Sequence, residues 1–334
     1  MAKKPLYKRL KYKNIIITLA GLILLIMIIS AACGHRSDGE DDADSSKASP
    51  QSSKQDSESS KVTELKLPKT NYKYESVEND RQLTSGELVL VNKDHTYTAK
   101  ASDLDDATKY RKNAEGTKVF KSAGSTVQVK TGITAALNGM FSDFNDETGI
   151  HDVELVTAAS GKAAKNSTNE NETGYAFDMK IYSDSDVTSD FTGTGEYAWL
   201  LQNCQNYGFI VRYPDGKKDL TGSDYKPAHL RYVGLPHALI MTEKGWCLEE
   251  YLEKVKDYSY DNPLTYIDTD GISYAVYYTK AGDNTTNVKI PQYDDGTDYN
   301  YTISGNNADG FIVTVNLTVR SEPETPTSDD ASAQ

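Results

Sequence analysis

Two short stretches hold the side chains best suited to chemistry. One runs from Glu170-Asn171-Glu172 through Thr173-Gly174-Tyr175-Ala176-Phe177-Asp178. The other is Lys226-Pro227-Ala228-His229, with Asp224 just before it. Carboxylates and imidazoles are the common metal ligands and proton carriers of hydrolytic sites. Each residue also has a plain structural reading. Asp178 stands where a strand would end. His237, eight residues after His229, reads as a packing residue, and His151, ahead of a strand, as a turn residue. Of the three cysteines, Cys33 closes an apolar run. Cys204 and Cys247 are either a disulfide pair outside the cell or two buried free thiols, and both readings stand.

The segments around these residues fall in a recognisable order. They are Trp199-Leu200-Leu201-Gln202-Asn203, then Tyr207-Gly208-Phe209-Ile210-Val211-Arg212-Tyr213-Pro214 with Lys217, then Leu220-Thr221-Gly222. His229-Leu230-Arg231-Tyr232-Val233-Gly234, His237-Ala238 and Leu248-Glu249-Glu250-Tyr251-Leu252 follow. With the Thr173–Asp178 segment upstream, this series resembles the VanY-type D-alanyl-D-alanine carboxypeptidases over about residues 86–253. The resemblance implies a zinc ion held by a His and an Asp of a Ser-x-His-x-x-Gly-x-x-x-Asp motif and by the His of Glu-Pro-Trp-His. It implies that the Glu of the second motif is the general base. Three protein ligands leave a fourth position for a water whose pKa falls to about 7, and the Glu takes the proton as that water attacks the terminal peptide carbonyl.

Placed on this chain, the motifs retain Asp178 and His229 as metal-ligand positions. The first His is replaced by Asn171, and the base by Lys226. An Asn amide is a neutral, weak zinc ligand. A Lys ammonium cannot accept a proton and repels a cation. Glu170, Glu172 and Asp224 lie close enough in sequence for a local shift to restore a ligand or base. A further departure follows the strand at 153–156, where the family carries a Ser-Gly-Tyr-Arg-Ser segment whose Arg binds substrate. This chain reads Thr157-Ala158-Ala159-Ser160-Gly161-Lys162, and only about ten residues separate Gly161 from Asn171. In place of zinc, the Lys226 ammonium is expected to pair with Asp178, with Asn171 donating a further hydrogen bond. The alternative is that Lys226 turns out to solvent.

The elements that must position these residues show in the apolar spacing. Ile133, Leu137, Met140, Phe141 and Phe144 predict a helix over 131–144, and Tyr197, Leu200, Leu201 and Cys204 a helix over 196–207 that stops at Gly208. Strands are predicted at 88–91, 153–156, 209–213, 274–278 and 311–315, and a short helix at 248–255. The fold class is α+β: an antiparallel sheet with packed helices, as the resemblance implies, and a small C-terminal β appendage. The domain plan is an anchor at 1–33, a linker at 34–62, the carboxypeptidase-like domain at 63–256, the appendage at 257–320 and a tail at 321–334.

Residues 15–32 are an uncharged apolar run of about the minimum spanning length. Lys3, Lys4, Lys8, Arg9, Lys11 and Lys13 precede it and orient the chain with its C-terminal side out of the cytoplasm. Ala31-Ala32-Cys33 ends the run like a bacterial lipobox, although Ser30 stands where Leu is usual. Two anchors therefore remain open, a lipid on Cys33 or an uncleaved helix, and either tethers the protein to the membrane. Removing those six basic residues from the net charge of −13 leaves −19 for the remainder, which argues against a nucleic-acid partner.

These observations point to an extracytoplasmic, membrane-tethered protein of carboxypeptidase-like fold. Its catalysis is expected to be lost and its zinc absent or weak. Its expected partner is peptidoglycan, through the stem peptide, or another envelope component. The alternative is an active zinc D,D-carboxypeptidase with displaced ligands, and a third reading is a wall-assembly scaffold with an empty cleft.

Overall fold

A computed structural model describes residues 65–98, 104–124, 127–162, 164–182 and 187–320. The anchor run, Cys33, the 34–62 linker and the 321–334 tail lie outside the described residues, so the structure bears on none of them. No helix among the described residues is long and apolar enough to cross a membrane.

Among the described residues there are fourteen strands and four principal helices, and all but one of the strand pairings are antiparallel. In chain order the strands are β1 (Tyr72–Glu78), β2 (Leu104–Asp106), β3 (Lys121–Ser122), β4 (Gln128–Lys130), β5 (Val153–Thr157), β6 (Ala176–Tyr182) and β7 (Thr188–Asp190). They continue as β8 (Phe209–Val211), β9 (His229–Tyr232), β10 (Leu264–Ile267), β11 (Ser273–Lys280), β12 (Thr285–Pro291), β13 (Tyr299–Gly305) and β14 (Gly310–Arg320). The helices are α1 (Thr134–Thr148), α2 (Ala198–Asn203), α3 (His237–Lys244) and α4 (Leu248–Val255). The central sheet has the order β3-β5-β6-β9-β8, with β7 on β6, and a second sheet has the order β10-β11-β14-β13. The α+β expectation therefore holds.

Helix α1 forms where the apolar spacing predicts it. Leu137, Met140, Phe141 and Phe144 repeat at three and four residues and are fully buried against the central sheet. Burial of each such side chain stabilises by about 1.5–3 kcal/mol. The helix stops at Gly149, whose φ of 74° lets its N–H reach the Asn145 carbonyl. The 196–207 segment is less regular than predicted. A short α2 is flanked by 3₁₀ turns, and Gly208 ends it at φ 81°. Helix α4 covers the predicted 248–255, with Leu248, Tyr251, Leu252 and Val255 buried.

The predicted strand at 88–91 is absent. Leu88, Val89, Leu90 and Val91 are all buried, but their backbone groups bond to side chains and, from the Leu90 N–H, to the Asn306 carbonyl at 3.3 Å, and not to a neighbouring strand. Arg231 Nη2 donates to the Val89 carbonyl at 3.0 Å and Asn307 Nδ2 to that of Leu90 at 2.8 Å, while the Leu88 N–H donates to Ser304 Oγ at 2.9 Å.

The β-rich C-terminal region lies in the same compact unit as the central sheet, the unit spanning residues 62–334. Val276 of β11 and Ile312 of β14 pack in one cluster with Ile240, Leu248 and Tyr251 of α3 and α4. Its partner β1, at the other end of the unit, pairs along its whole length with β12. Cys204 and Cys247 are buried and free, so the thiol reading holds and the disulfide reading does not.

Candidate functional site

The site is built on a cross-strand pair. Asp178 on β6 stands directly opposite His229 on β9, which brings two side chains 51 residues apart in sequence onto neighbouring strands. His229 Nδ1 lies 2.8 Å from Asp178 Oδ1. A 3₁₀ turn, Glu170–Thr173, carries Asn171 to the same place. Asn169 caps it by accepting from the Asn171 N–H, and Gly174 closes it at φ 76°. From there Asn171 Nδ2 donates to Asp178 Oδ2 at 3.0 Å. The structure thus brings Asn171, Asp178 and His229 together, and the hydrogen bond expected from Asn171 is present.

Lys226 behaves differently from the expectation that it pairs with Asp178. It is exposed, and its ammonium sits 4.9 Å from the centre of the Tyr213 ring, which in turn lies 5.1 Å from the His229 ring. It forms no ion pair with Asp178. Asp178 is held instead by the His229 imidazole on one oxygen and the Asn171 amide on the other, while the Lys226 ammonium lies against the Tyr213 ring. The cation that contacts Asp178 is His229, and Lys226 adds only a longer-range attraction.

Sequence reading missed the layer behind this pair. Glu170, 2% exposed, takes His229 Nε2 at 2.9 Å with one oxygen and Arg212 Nε at 2.8 Å with the other. Arg212, fully buried, makes a two-pronged contact with Glu249 at 2.9 and 2.6 Å. Arg231, also fully buried, lies 3.5 Å from Glu170 and donates to the Glu87 and Val89 carbonyls. A buried Arg after a strand leaves only a weak sequence signal. The stronger one was an acid adjacent to a ligand position, which singled out Glu170 for another role.

Burial alone would suppress the His229 charge, but hydrogen bonds to Asp178 and Glu170 outweigh it and lift its pKa to about 9. Burial likewise opposes ionisation of the two carboxylates. The Arg212 guanidinium and the His229 hydrogen bond hold Glu170 well below the usual range, and the His229 hydrogen bond holds Asp178 down. The carboxylates of Glu170, Asp178 and Glu249 are thus paired with Arg212, His229 and Arg231, without Lys226.

The other candidates are placed elsewhere. Glu172 accepts from Ser160 Oγ at 2.9 Å, and Asp224 pairs with Lys218 at 2.7 Å on the surface. His237 is buried at the start of α3, bonded to Tyr251 Oη and Thr314 Oγ1, which is the packing role expected of it. His151 is exposed ahead of β5. A separate polar cavity is lined by residues including Ser85, Tyr97, Lys130, Thr173 and Tyr175, and none of Asn171, Asp178, Lys226 or His229 lines it.

For a zinc ion the donor set fits poorly. Both His229 ring nitrogens are engaged by carboxylates, whereas a ligating imidazole presents one bare nitrogen to the metal. Asn171 turns its N–H toward Asp178, so its amide donates where the family places a ligand. Among the described residues no group of three or more His, Cys, Asp and Glu side chains is arranged to hold a metal ion.

Residues 93–235 match the family described as VanY, D-alanyl-D-alanine carboxypeptidase. A D-alanyl-D-alanine carboxypeptidase of Enterococcus faecium is 31% identical over 248 residues, covering 71% of this chain and 77% of its own length. The bifunctional D-Ala-D-Ala dipeptidase and D-Ala-D-Ala carboxypeptidase VanXYC of Enterococcus gallinarum is 40% identical over 85 residues, 25% of this chain and 45% of that protein. Among solved structures, the vancomycin-resistance D,D-dipeptidase VanXYg in complex with a D-Ala-D-Ala phosphinate analogue superposes with a TM-score of 0.60. It is 27% identical, and the match covers 73% of this chain and 99% of that one. On the ordered motifs, the cross-strand Asp178–His229 pair and these similarities, the chain belongs to the VanY family of D-alanyl-D-alanine carboxypeptidases.

Proposed function

We propose that this protein is a membrane-tethered member of the VanY family that has given up peptide hydrolysis and retains the cleft as a binding site for peptidoglycan stem peptides. The observation that carries this reading is the state of His229. Its two nitrogens are held by Asp178 and Glu170, which leaves neither one for a metal, and the neighbouring base position holds an ammonium in Lys226. Without a metal-activated water and a carboxylate to take its proton, the attack step has no agent. Zinc is accordingly absent or weakly held. The tether, whether a lipid on Cys33 or an uncleaved helix over 15–32, places the folded unit on the outer face of the membrane, beside the wall.

The alternative, an active zinc carboxypeptidase with displaced ligands, needs Glu170, Glu172 or Asp224 to move into the site. Glu170 is locked to Arg212, Glu172 accepts from Ser160 Oγ, and Asp224 pairs with Lys218. Two measurements separate the readings. Zinc content of the purified protein tests the enzyme reading, and about one zinc per chain surviving dialysis would support it against ours. Co-sedimentation with purified peptidoglycan tests the binding reading. Retention competed away by soluble stem peptide is expected, and no retention would favour a scaffold with no ligand in the cleft.

A further inference from the structure

The polar cavity beside the start of α1 has a volume of about 350 Å³ and takes no part in the Asp178–His229 site. That volume is at the lower end of small-ligand sites, about 300–1,000 Å³, and suits one ring better than an extended chain. Its walls are held by the fold. The Ser85 carbonyl accepts from the Gly305 N–H at 2.8 Å, and the Lys130 N–H donates to the Gly174 carbonyl at 2.9 Å. At Gly86 φ is 108°, and a Cβ there would lie 2.3 Å from Ser304 Oγ, so only bare backbone fits. The Tyr175 ring is stacked on that of Tyr232, with centroids 6.3 Å apart, and the Arg231 guanidinium lies 5.5 Å from its centre.

Six of the ten lining residues carry a hydroxyl, which decides the class of ligand. Among the described residues, the hydroxyls of Thr84, Ser85, Thr131 and Tyr175 have no hydrogen-bond partner. No Asp or Glu lines the cavity, so a cation finds no carboxylate there. Lys130, the charged residue of the lining, is already engaged. An anion therefore finds no uncommitted counter-charge, in a chain whose net charge is −13. A wholly apolar ligand would strip water from the hydroxyls without replacing its hydrogen bonds. A neutral polyol meets each hydroxyl as donor or acceptor, and Val89 with the rings of Tyr97 and Tyr175 offers apolar surface to its C–H groups.

We infer that this cavity binds one pyranose ring of an uncharged sugar, its hydroxyls bonded to Thr84, Ser85, Thr131 and Tyr175. The site stands apart from the proposed stem-peptide cleft, since none of Asn171, Asp178, Lys226 or His229 lines it. It gives the protein a second class of ligand, recognised by hydroxyls where the cleft presents charges.

The test is saturation-transfer NMR titration of the full chain, in a detergent without a sugar headgroup. The probes are methyl β-glucoside, methyl β-N-acetylglucosaminide, the β-linked trisaccharide of each, and inorganic phosphate. Saturable binding of at least one sugar is expected. A trisaccharide that binds no more tightly than its single ring marks a free sugar as the ligand, and one that binds more tightly marks a ring within a polymer. Ser85→Ala and Tyr175→Phe should each weaken binding about two- to tenfold, the range for one hydrogen bond. Thr131→Trp, at an exposed position, should abolish binding by filling the cavity. None of the three replaced hydroxyls bonds within the described residues, so melting temperatures should stay at the wild-type value, which separates loss of binding from loss of fold. Failure of all four sugars to bind, wild-type affinity in all three variants, or tighter binding of phosphate than of any sugar overturns the site. Each of these results leaves the stem-peptide reading standing, because the two sites share no residue.

Discussion

Replacing Glu170 with Gln probes the feature on which the account of the site depends, the buried ion cluster. The change is nearly isosteric, so it removes a charge without opening a cavity. Glu170 is 2% exposed and is bonded to Arg212 at 2.8 Å and His229 at 2.9 Å, with Arg231 at 3.5 Å. A Gln carbonyl can still accept from Arg212. Its amide N–H then faces His229 Nε2, so a protonated imidazole and the amide present donor to donor. The cluster is also left with one uncompensated positive charge, in a place with almost no access to water. Breaking a buried pair in this way costs about 3–5 kcal/mol. For a folded unit of this size that corresponds to a fall in melting temperature of roughly 6–20 °C. The assay is thermal and urea unfolding at pH 7, followed by circular dichroism. Adding His229→Gln to Glu170→Gln removes the clashing donor and should recover part of the loss, which gives a non-additive cycle. A single-variant loss below about 1 kcal/mol, or strict additivity across the cycle, would refute the view that this cluster holds the site together.

Two further predictions concern pH and the thiols. Burial pulls the His237 pKa down to about 3, below its unfolded value, so its contribution to stability is complete above about pH 6.5 and is lost as pH falls. His229 keeps its proton in both states below pH 6.5, so between pH 6.5 and 5 the decline belongs mainly to His237. It should amount to about 2 kcal/mol and vanish in His237→Gln; denaturant titrations at both pH values read it out, and a flat profile in the wild type counts against it. Above pH 6.5 the sign reverses, because His229, raised to about 9, contributes stability that is lost as pH rises through that value. Cys204 and Cys247 should each take up one alkylating label in denaturant without reductant, as mass spectrometry of their peptides would show; a Cys204–Cys247 linked peptide would contradict the structure.

Much of the fold was legible in the sequence because its strongest signals are periodic. The α1 face, spaced at 137, 140, 141 and 144, and the apolar runs of β11 and β14 identify themselves. The run at 88–91 failed for a reason that periodicity cannot carry, since its backbone partners, the side chains of Arg231, Asn307 and Ser304 and the Asn306 carbonyl, are distant in sequence. Strand β1, Tyr-Lys-Tyr-Glu-Ser-Val-Glu, was invisible because only Val77 is buried on it and its partner β12 lies more than 200 residues away. At the site, motif order picked out Asn171, Asp178 and His229, which the structure brings into mutual contact, and Lys226, which it does not. It misassigned the partner of Asp178, because which cation faces a carboxylate depends on geometry that spacing does not encode. Glu170, Arg212 and Arg231 show the same limit. Their roles come from mutual burial, which no one of them signals alone.

The central claim is that this VanY-family cleft binds without cutting. The most direct measurement is D-alanine release from a stem pentapeptide by the purified protein with added zinc, run beside the double variant Asn171→His with Lys226→Glu, which restores the family ligand and base. General base loss alone commonly lowers rates by about 10²–10⁴-fold, and a missing zinc ligand compounds it. The account predicts no release above background by the wild type, nor by the double variant, in which Asp178 and Glu170 still hold both His229 nitrogens. Release by the wild-type protein that a chelator abolishes would contradict it.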